Sequence, residues 1–216
     1  MSSADSYTKG LEYIEQFQMP RPQWLEDIKE LGIAYKVPII DDDMGAFLKL
    51  VCSIKKPRTI LEIGCGISYA THWMLSGYPE AQIIGLDYNQ QRLDFCGQFL
   101  EQSGFSDNVT LKRTWAHDFF AENHDRFDLI FQDATKKEYG SMIDPCFHRL
   151  NSEGLLIVDN IFYNGKAFGL EPDQKKKYGE AVKMLEQFNR TISAHPGFDC
   201  HYLAISDGVL VAQRKS

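Results

Sequence analysis

Asp133, Asp159 and Asn160 close two short apolar runs, Phe131-Gln132-Asp133 and Val158-Asp159-Asn160. Oxygen-bearing side chains gathered in this way suit a hard divalent ion such as Mg²⁺. A third run, Leu61-Glu62-Ile63-Gly64-Cys65-Gly66, leads from a strand into a glycine-rich turn, where the lack of Cβ atoms lets backbone N–H groups approach a ligand. Open α/β sheets bind their ligands at the carboxyl ends of the strands. One sheet edge therefore collects a cofactor loop and a set of hard oxygen ligands, the equipment of metal-assisted group transfer.

The elements that must position these residues are legible as an alternation. Apolar spacing predicts a helix from Tyr7 to Phe17, and Met19-Pro20-Arg21-Pro22 ends it and starts a second through Trp24, Ile28 and Leu31. Trp24, Tyr35 and Phe17 read as core or dimer-interface positions. Val37-Pro38-Ile39-Ile40 is an extended connector, after which Asp41 or Asp42 caps a helix with Phe47, Leu48 and Val51 on its apolar face.

Beyond Pro57, strands are expected at Thr59–Ile63, Gln82–Asp87, Val109–Arg113, Phe127–Gln132 and Leu155–Asp159, then Cys200–Ala204 and Gly208–Gln213 joined by a turn at Ser206-Asp207-Gly208. Helices fall between them at Tyr69–Ser76, Gln90–Ser103, Tyr139–Leu150 and Pro172–Ala194, with a short turn or helix near His117–Ala121. This is an α/β chain with a doubly wound, mostly parallel, seven-stranded Rossmann-like sheet, an antiparallel last strand and N-terminal helices. Residues 1–56 read as a helical extension packed on a domain of residues 57–216, the whole forming a single structural domain.

The 216 residues carry a formal charge of −7, which provides no global attraction to nucleic acid. A polyanion would need a local patch, for which Lys55, Lys56 and Arg58, Lys136-Lys137, or Lys175-Lys176-Lys177 are candidates. Five cysteines without a CxxC pair point to reduced thiols in a cytoplasm rather than a disulfide framework or a zinc knot. The N-terminus has no basic and apolar leader pattern and no apolar run is long enough to span a bilayer, so neither secretion nor a membrane span is expected.

The glycine loop narrows the cofactor. A dinucleotide fingerprint wants a further glycine where Tyr69 stands, which disfavours NAD. Asp87 ends the second strand and is placed to accept hydrogen bonds from ribose hydroxyls, a role shared by nucleoside cofactors generally.

Taken together, Leu61-Glu62-Ile63-Gly64-Cys65-Gly66, Asp87, Phe131-Gln132-Asp133-Ala134-Thr135-Lys136 and Val158-Asp159-Asn160-Ile161-Phe162-Tyr163-Asn164-Gly165 resemble the cation-dependent, S-adenosylmethionine (SAM) O-methyltransferases, the family of the catechol and caffeoyl-CoA enzymes and their small bacterial relatives. The likeness runs in order from about Val37 to Arg214. It implies that Asp133, Asp159 and Asn160 hold Mg²⁺ or another divalent cation, that Lys136 is the general base, and that Glu62, Gly64, Gly66, Ser68, Asp87, Ala116 and Asp133 bind SAM. The run Gly64-Cys65-Gly66-Ile67-Ser68-Tyr69-Ala70 departs from the family's usual Gly-x-x-x-Gly-Tyr-Ser/Thr. The hydroxyl that commonly meets the SAM carboxylate is missing at Ala70, and Ser68 or Thr71 is the expected substitute. Thr135 stands where catechol-type members place an aromatic beside the adenine. The residues around Trp115-Ala116-His117 are the expected adenine neighbours.

The resemblance places acceptor choice in the N-terminal helices and in the loop from Ile161 to Asp173. That loop mixes Phe162, Tyr163, Lys166 and Phe168, a combination suited to a flat ring bearing negative charge. The favoured acceptor is a catechol-like small molecule. The alternative is tRNA, methylated on 5-hydroxyuridine at the wobble position, and a third reading is a non-catalytic SAM-binding module. Relatives imply a homodimer.

Overall fold

The computed structural model describes residues 9–14, 16–17 and 20–216. Of the first expected helix, residues 9–14 are helical and 16–17 lie in a turn, while residues 7, 8 and 15 fall outside the described residues. Then follow α1 (Gln23–Tyr35), α2 (Asp42–Lys55), β1 (Thr59–Ile63), α3 (Tyr69–Gly77), β2 (Gln82–Asp87), α4 (Gln90–Ser103), β3 (Val109–Arg113), α5 (Ala116–Glu122), β4 (Phe127–Gln132), α6 (Tyr139–Arg149), β5 (Leu150–Val158), α7 (Lys175–Ser193), β6 (Phe198–Leu203) and β7 (Val209–Arg214).

The strands form one seven-stranded sheet in the order β3-β2-β1-β4-β5-β7-β6. β1 to β5 are parallel, and β7 runs antiparallel to both β5 and β6. Both faces are covered, so the central strands are apolar on both sides. Leu61, Ile63, Ile130, Leu156 and Val158 belong to the core under α5, α6 and α7. Ile60, Leu129, Phe131 and Ile157 face the other core with Leu25 and Ile28 of α1, Met44 and Leu48 of α2, and Trp73 and Met74 of α3. The N-terminal helices therefore share one core with the sheet. Trp24 contributes by packing on His72 and Phe105, at 5.0 and 6.1 Å between ring centroids, whereas Phe17 and Tyr35 are exposed.

The start of β5 and the cap of α2 depart from the sequence pattern for local reasons. β5 begins at Leu150 rather than Leu155, because a bulge carries the polar stretch Asn151-Ser152-Glu153 before the apolar run resumes. Asp41 holds the N-cap position of α2, but its carboxylate accepts from the Ser206 hydroxyl (2.9 Å) instead of a helix N–H.

Strand order reverses between β1 and β4, where β1 continues toward β2 and β3 while β4 continues toward β5. A crevice opens at such a switch point outside the carboxyl ends of the strands. The backbone closes tightly there: the Gly64 N–H donates to the Leu86 carbonyl (2.9 Å) and the Asp133 N–H to the Ile63 carbonyl (3.0 Å). Gly64 has φ +93°, and a Cβ on it would lie 2.6 Å from the Asp133 carbonyl oxygen, so glycine is required by both conformation and space.

Candidate active site

A cavity of about 830 Å³ occupies this crevice, a volume suited to a small-molecule or cofactor site. Gly64, Gly66, Asp87, Ala116, Asp133, Lys136, Asp159 and Asn160 all line it. Chain segments more than 90 residues apart thus meet because β1, β2, β4 and β5 end on the same edge of the sheet.

At the cofactor end, the Gly66 N–H donates to one Asp87 carboxylate oxygen (3.1 Å) and the Asn89 N–H donates to the other (2.8 Å). Arg92 stands 3.6 Å from the same carboxylate. Asp87 is thereby fixed with its carboxylate at the cavity wall. Beside it the rings of Tyr88 and Trp115 stack on each other, 4.6 Å apart and nearly parallel at 7°, although each is about half exposed. Both line the cavity with Ala116 and Thr135, and they form a flat apolar wall on the side where Thr135 supplies no ring. Tyr88 was invisible as a site residue in the sequence, since nothing about an aromatic after a strand-terminal acid announces that it will find a stacking partner on the next strand's loop.

Two expected cofactor residues sit elsewhere. Ser68 is buried at φ +70°, and its hydroxyl donates to the Ile67 carbonyl (2.5 Å). Its own carbonyl accepts from the His72 N–H (3.0 Å) and meets the His72 ring Nδ1 (2.7 Å). Ser68 therefore braces the loop from behind instead of facing the cavity. The Thr71 hydroxyl donates to Glu62 (2.6 Å) and is equally withdrawn. Glu62 is 1% exposed with its Oε1 unpartnered. Burial and the nearby Asp87 charge push its carboxyl up to about 7, against the Thr71 hydrogen bond. It lies beneath the loop, not in the cavity lining.

At the other end, Asp133, Asp159 and Asn160 come together as the spacing of the two strand ends implied. Asn160 takes φ +58°, a left-handed turn that Asn tolerates, and its side-chain oxygen accepts from the Lys136 ammonium at 2.7 Å. Asp159 is 1% exposed. One of its oxygens accepts from the Asn160 N–H (2.6 Å) and the other, Oδ2, has no partner. Burial and the Asp159 charge push the Asp133 carboxyl up to about 8, with Lys136 opposing, and burial pushes Asp159 up to about 6. Two carboxylates raised in this manner, one with an orphaned buried oxygen, form a donor set short of positive charge. Together with the Asn160 amide oxygen they fit a hard divalent cation. Among the described residues no three His, Cys, Asp or Glu side chains cluster as a metal site, and the third oxygen beside these two carboxylates belongs to the Asn160 amide.

The surrounding frame contains residues the sequence pattern did not single out. The Tyr139 hydroxyl, fully buried, donates to the Asp159 carbonyl (2.9 Å). The turn between β6 and β7 reaches across the sheet to the loop after β5. Both Asp207 carboxylate oxygens accept from the Asn164 N–H (2.7 and 2.8 Å), and the Phe162 and Ile161 N–H groups donate to the Asp207 and Gly208 carbonyls (2.8 and 3.0 Å). Ser206 ties the same turn to Asp41 and Asp43 at the start of α2. The sequence marked this segment only as a hairpin turn, and a turn signature does not say what the turn touches.

A seven-stranded sheet of this order, with a glycine loop and a strand-terminal acid at its switch point, is the fold of SAM-dependent methyltransferases. The chain belongs to the O-methyltransferase family, whose model matches residues 20–215. It is similar to a caffeoyl-CoA O-methyltransferase of Mesembryanthemum crystallinum, 24% identical over 90% of this chain and 82% of that one. A catechol O-methyltransferase of Niastella koreensis is 27% identical over 76% of this chain and 74% of its own length. Among solved structures, an SAH-bound methyltransferase of Podospora anserina superposes with a TM-score of 0.88 at 23% identity, covering 100% of this chain and 98% of the other. The O-methyltransferase of Bacillus cereus in complex with SAH gives 0.82 at 23% identity, over 94% and 96%. The chain is an enzyme that transfers a methyl group from SAM to oxygen. Among the described residues no helix is long and apolar enough to cross a membrane.

Proposed function

We propose that the enzyme methylates one hydroxyl of a catechol-like small molecule, with a divalent cation, Mg²⁺ or similar, held by Asp133, Asp159 and Asn160. The observation that carries this reading is the orphaned, buried Asp159 Oδ2 beside Asp133 and an Asn160 oxygen already pinned by Lys136. When bound, the cation supplies the Lewis acidity that lowers a neighbouring hydroxyl's pKa, and SAM supplies an electrophilic methyl group. The chain's own residues do the rest. Gly64 and Gly66 bring backbone to the cavity wall, Asp87 orients the ribose, and the Tyr88–Trp115 wall flanks the adenine. Lys136, held at the Asn160 oxygen, would receive the acceptor's proton as general base in its neutral amine form, which can still donate to Asn160. The small-molecule names of the relatives favour this acceptor over tRNA.

The test is metal removal and return. Chelation with EDTA should abolish methyl transfer to catechol, and Mg²⁺ should restore it. Asp159→Ala and Asp133→Ala should lose Mn²⁺ binding by calorimetry while Asp159→Ala retains SAH affinity within about threefold, less than 1 kcal/mol. Full turnover in the Asp133/Asp159 double variant would overturn the assignment.

A further inference from the structure

After β5 the backbone enters the left-handed region repeatedly, at Asn160 (φ +58°), Tyr163 (+53°), Asn164 (+52°) and Gly165 (+73°). Only the last is glycine, and a bulky residue such as tyrosine rarely takes that conformation. A turn of this kind persists where its surroundings over-determine it. Asn160 opens the turn, and its side-chain oxygen accepts from Lys136 Nζ at 2.7 Å.

The restraint comes from the far end of the chain. Both Asp207 carboxylate oxygens accept from the Asn164 N–H (2.7 and 2.8 Å), the Asp207 carbonyl accepts from the Phe162 N–H (2.8 Å), and the Gly208 carbonyl accepts from the Ile161 N–H (3.0 Å). Gly208 has φ +79° and leaves room for the Phe162 ring, which a Cβ would approach to 2.6 Å. Ser206 fastens this grip to the start of α2, its N–H donating to Asp43 and its hydroxyl to Asp41, each at 2.9 Å. On the other side of Asn160, the buried Tyr139 hydroxyl holds the Asp159 carbonyl (2.9 Å). Asn160 therefore lies between two fixed points, the Asp159 carbonyl before it and the Ile161 N–H after it.

We propose that Asp207 is a positioning residue for the methyl transfer: by gripping the Asn164 N–H it locks the left-handed turn, and so places the Asn160 side-chain oxygen and the Lys136 amine that meets it. This rests on the reading of Asn160 and Lys136 as site residues and adds one that acts through them. The grip needs a lone pair aimed at a backbone N–H, which the amide oxygen of asparagine also offers. A carboxylate acting directly on a cation or on the acceptor would need its charge.

The experiment has two arms, with SAH binding by calorimetry reporting that each variant is folded. In the first, which needs neither metal nor acceptor, amide hydrogen exchange is followed in the SAH-bound protein. A hydrogen bond to a charged acceptor corresponds to roughly 10- to 100-fold, so the Ile161, Phe162 and Asn164 amides should exchange at least about tenfold faster in Asp207→Ala. Those of Gly64 and Cys65, held by the Leu86 carbonyl, should keep their rates. In the second arm, kcat of the Mg²⁺-loaded enzyme for catechol should fall at least about tenfold in Asp207→Ala and stay within about threefold of wild type in Asp207→Asn. Gly208→Ala should match Asp207→Ala, although Gly208 does not line the cavity. Combined with Lys136→Met, Asp207→Ala should bring no further loss, because effects that share one route do not add. Unchanged exchange or wild-type kcat in Asp207→Ala, a loss in Asp207→Asn as deep as in the alanine variant, or losses that multiply in the double variant overturns the proposal. The reading of the site is judged separately by Lys136→Met and Asn160→Ala: full turnover in both overturns it, and a loss in both beside an unaffected Asp207→Ala leaves it standing.

Discussion

At the residue scale the site depends on a few side chains whose roles separate cleanly by position. Lys136 lines the cavity and donates to the Asn160 side-chain oxygen. Lys136→Met should therefore lower kcat by about 100-fold or more at neutral pH, the usual worth of a positioned acid or base, with SAH affinity unchanged. A kcat equal to wild type in a stopped assay would remove it as the base. Asp87 has the opposite profile, since its carboxylate is set by the Gly66 and Asn89 N–H groups at the cofactor end. Asp87→Ala should weaken SAH binding by roughly 10- to 100-fold, the loss of charged hydrogen bonds worth about 1.5–3 kcal/mol, and calorimetry giving an unaltered Kd would exclude the ribose role. That Asp133, Lys136, Asp159 and Asn160 meet in one cavity was legible because residues that follow parallel strands gather at one edge of the sheet. Ser68 misled because a hydroxyl in a cofactor loop looks the same whether it faces the ligand or, as here, its own backbone.

At the element scale the cofactor loop is held by α3 and its neighbours through His72. This ring is fully buried, meets the Ser68 carbonyl at 2.7 Å and the Ser103 hydroxyl of α4 at 2.9 Å, and packs under Trp24 of α1 and Phe105. Burial holds its pKa below the ordinary value, the hydrogen bond to Ser68 opposing. The neutral form is thus the folded form. Above about pH 6.5 both folded and unfolded chains carry it neutral, and below that the unfolded chain takes a proton the folded chain resists, so stability falls as pH falls. His72→Gln should cost about 1–2 kcal/mol at pH 7 for the altered contacts, and its Tm should fall less than that of wild type between pH 7 and pH 5. Parallel pH profiles would dismiss this coupling. A second device ties α1 to α2: Arg21, Lys29 and Tyr69 converge on Asp42, with Lys29 at 2.6 Å and Tyr69 at 2.8 Å. Burial alone would raise the Asp42 carboxyl, yet these partners hold it below the usual range.

At the scale of the whole molecule, a net charge of −7 leaves no field to gather a polyanion. Transfer to catechol should change by less than about threefold between 50 and 300 mM salt, whereas an enzyme that neutralises several phosphates loses affinity by about 10³ or more over such a range. A steep salt dependence of catechol turnover would count against a small-molecule acceptor. The basic segments weighed from the sequence are dispersed in the fold. Lys55 donates to the Glu153 carbonyl at the opposite end of the strands from the site, and Lys177 of the Lys175–Lys177 run lies over the Tyr178 ring at 4.9 Å.

The amino-acid sequence by itself determined the alternation of strands and helices, the glycine loop, the acid after β2 and the polar residues that end β4 and β5. Each of these is local: a period of side chains, a residue that needs positive φ, or a polar group at the end of an apolar run. Only the tertiary structure decided which side of a backbone a hydroxyl takes, that Tyr88 meets Trp115, that the turn at Ser206–Gly208 clasps the loop after β5, and that Lys166 and Lys177 share Tyr178. Those facts rest on contacts between segments distant in the chain, and no period or spacing along a sequence encodes which of its surfaces will touch.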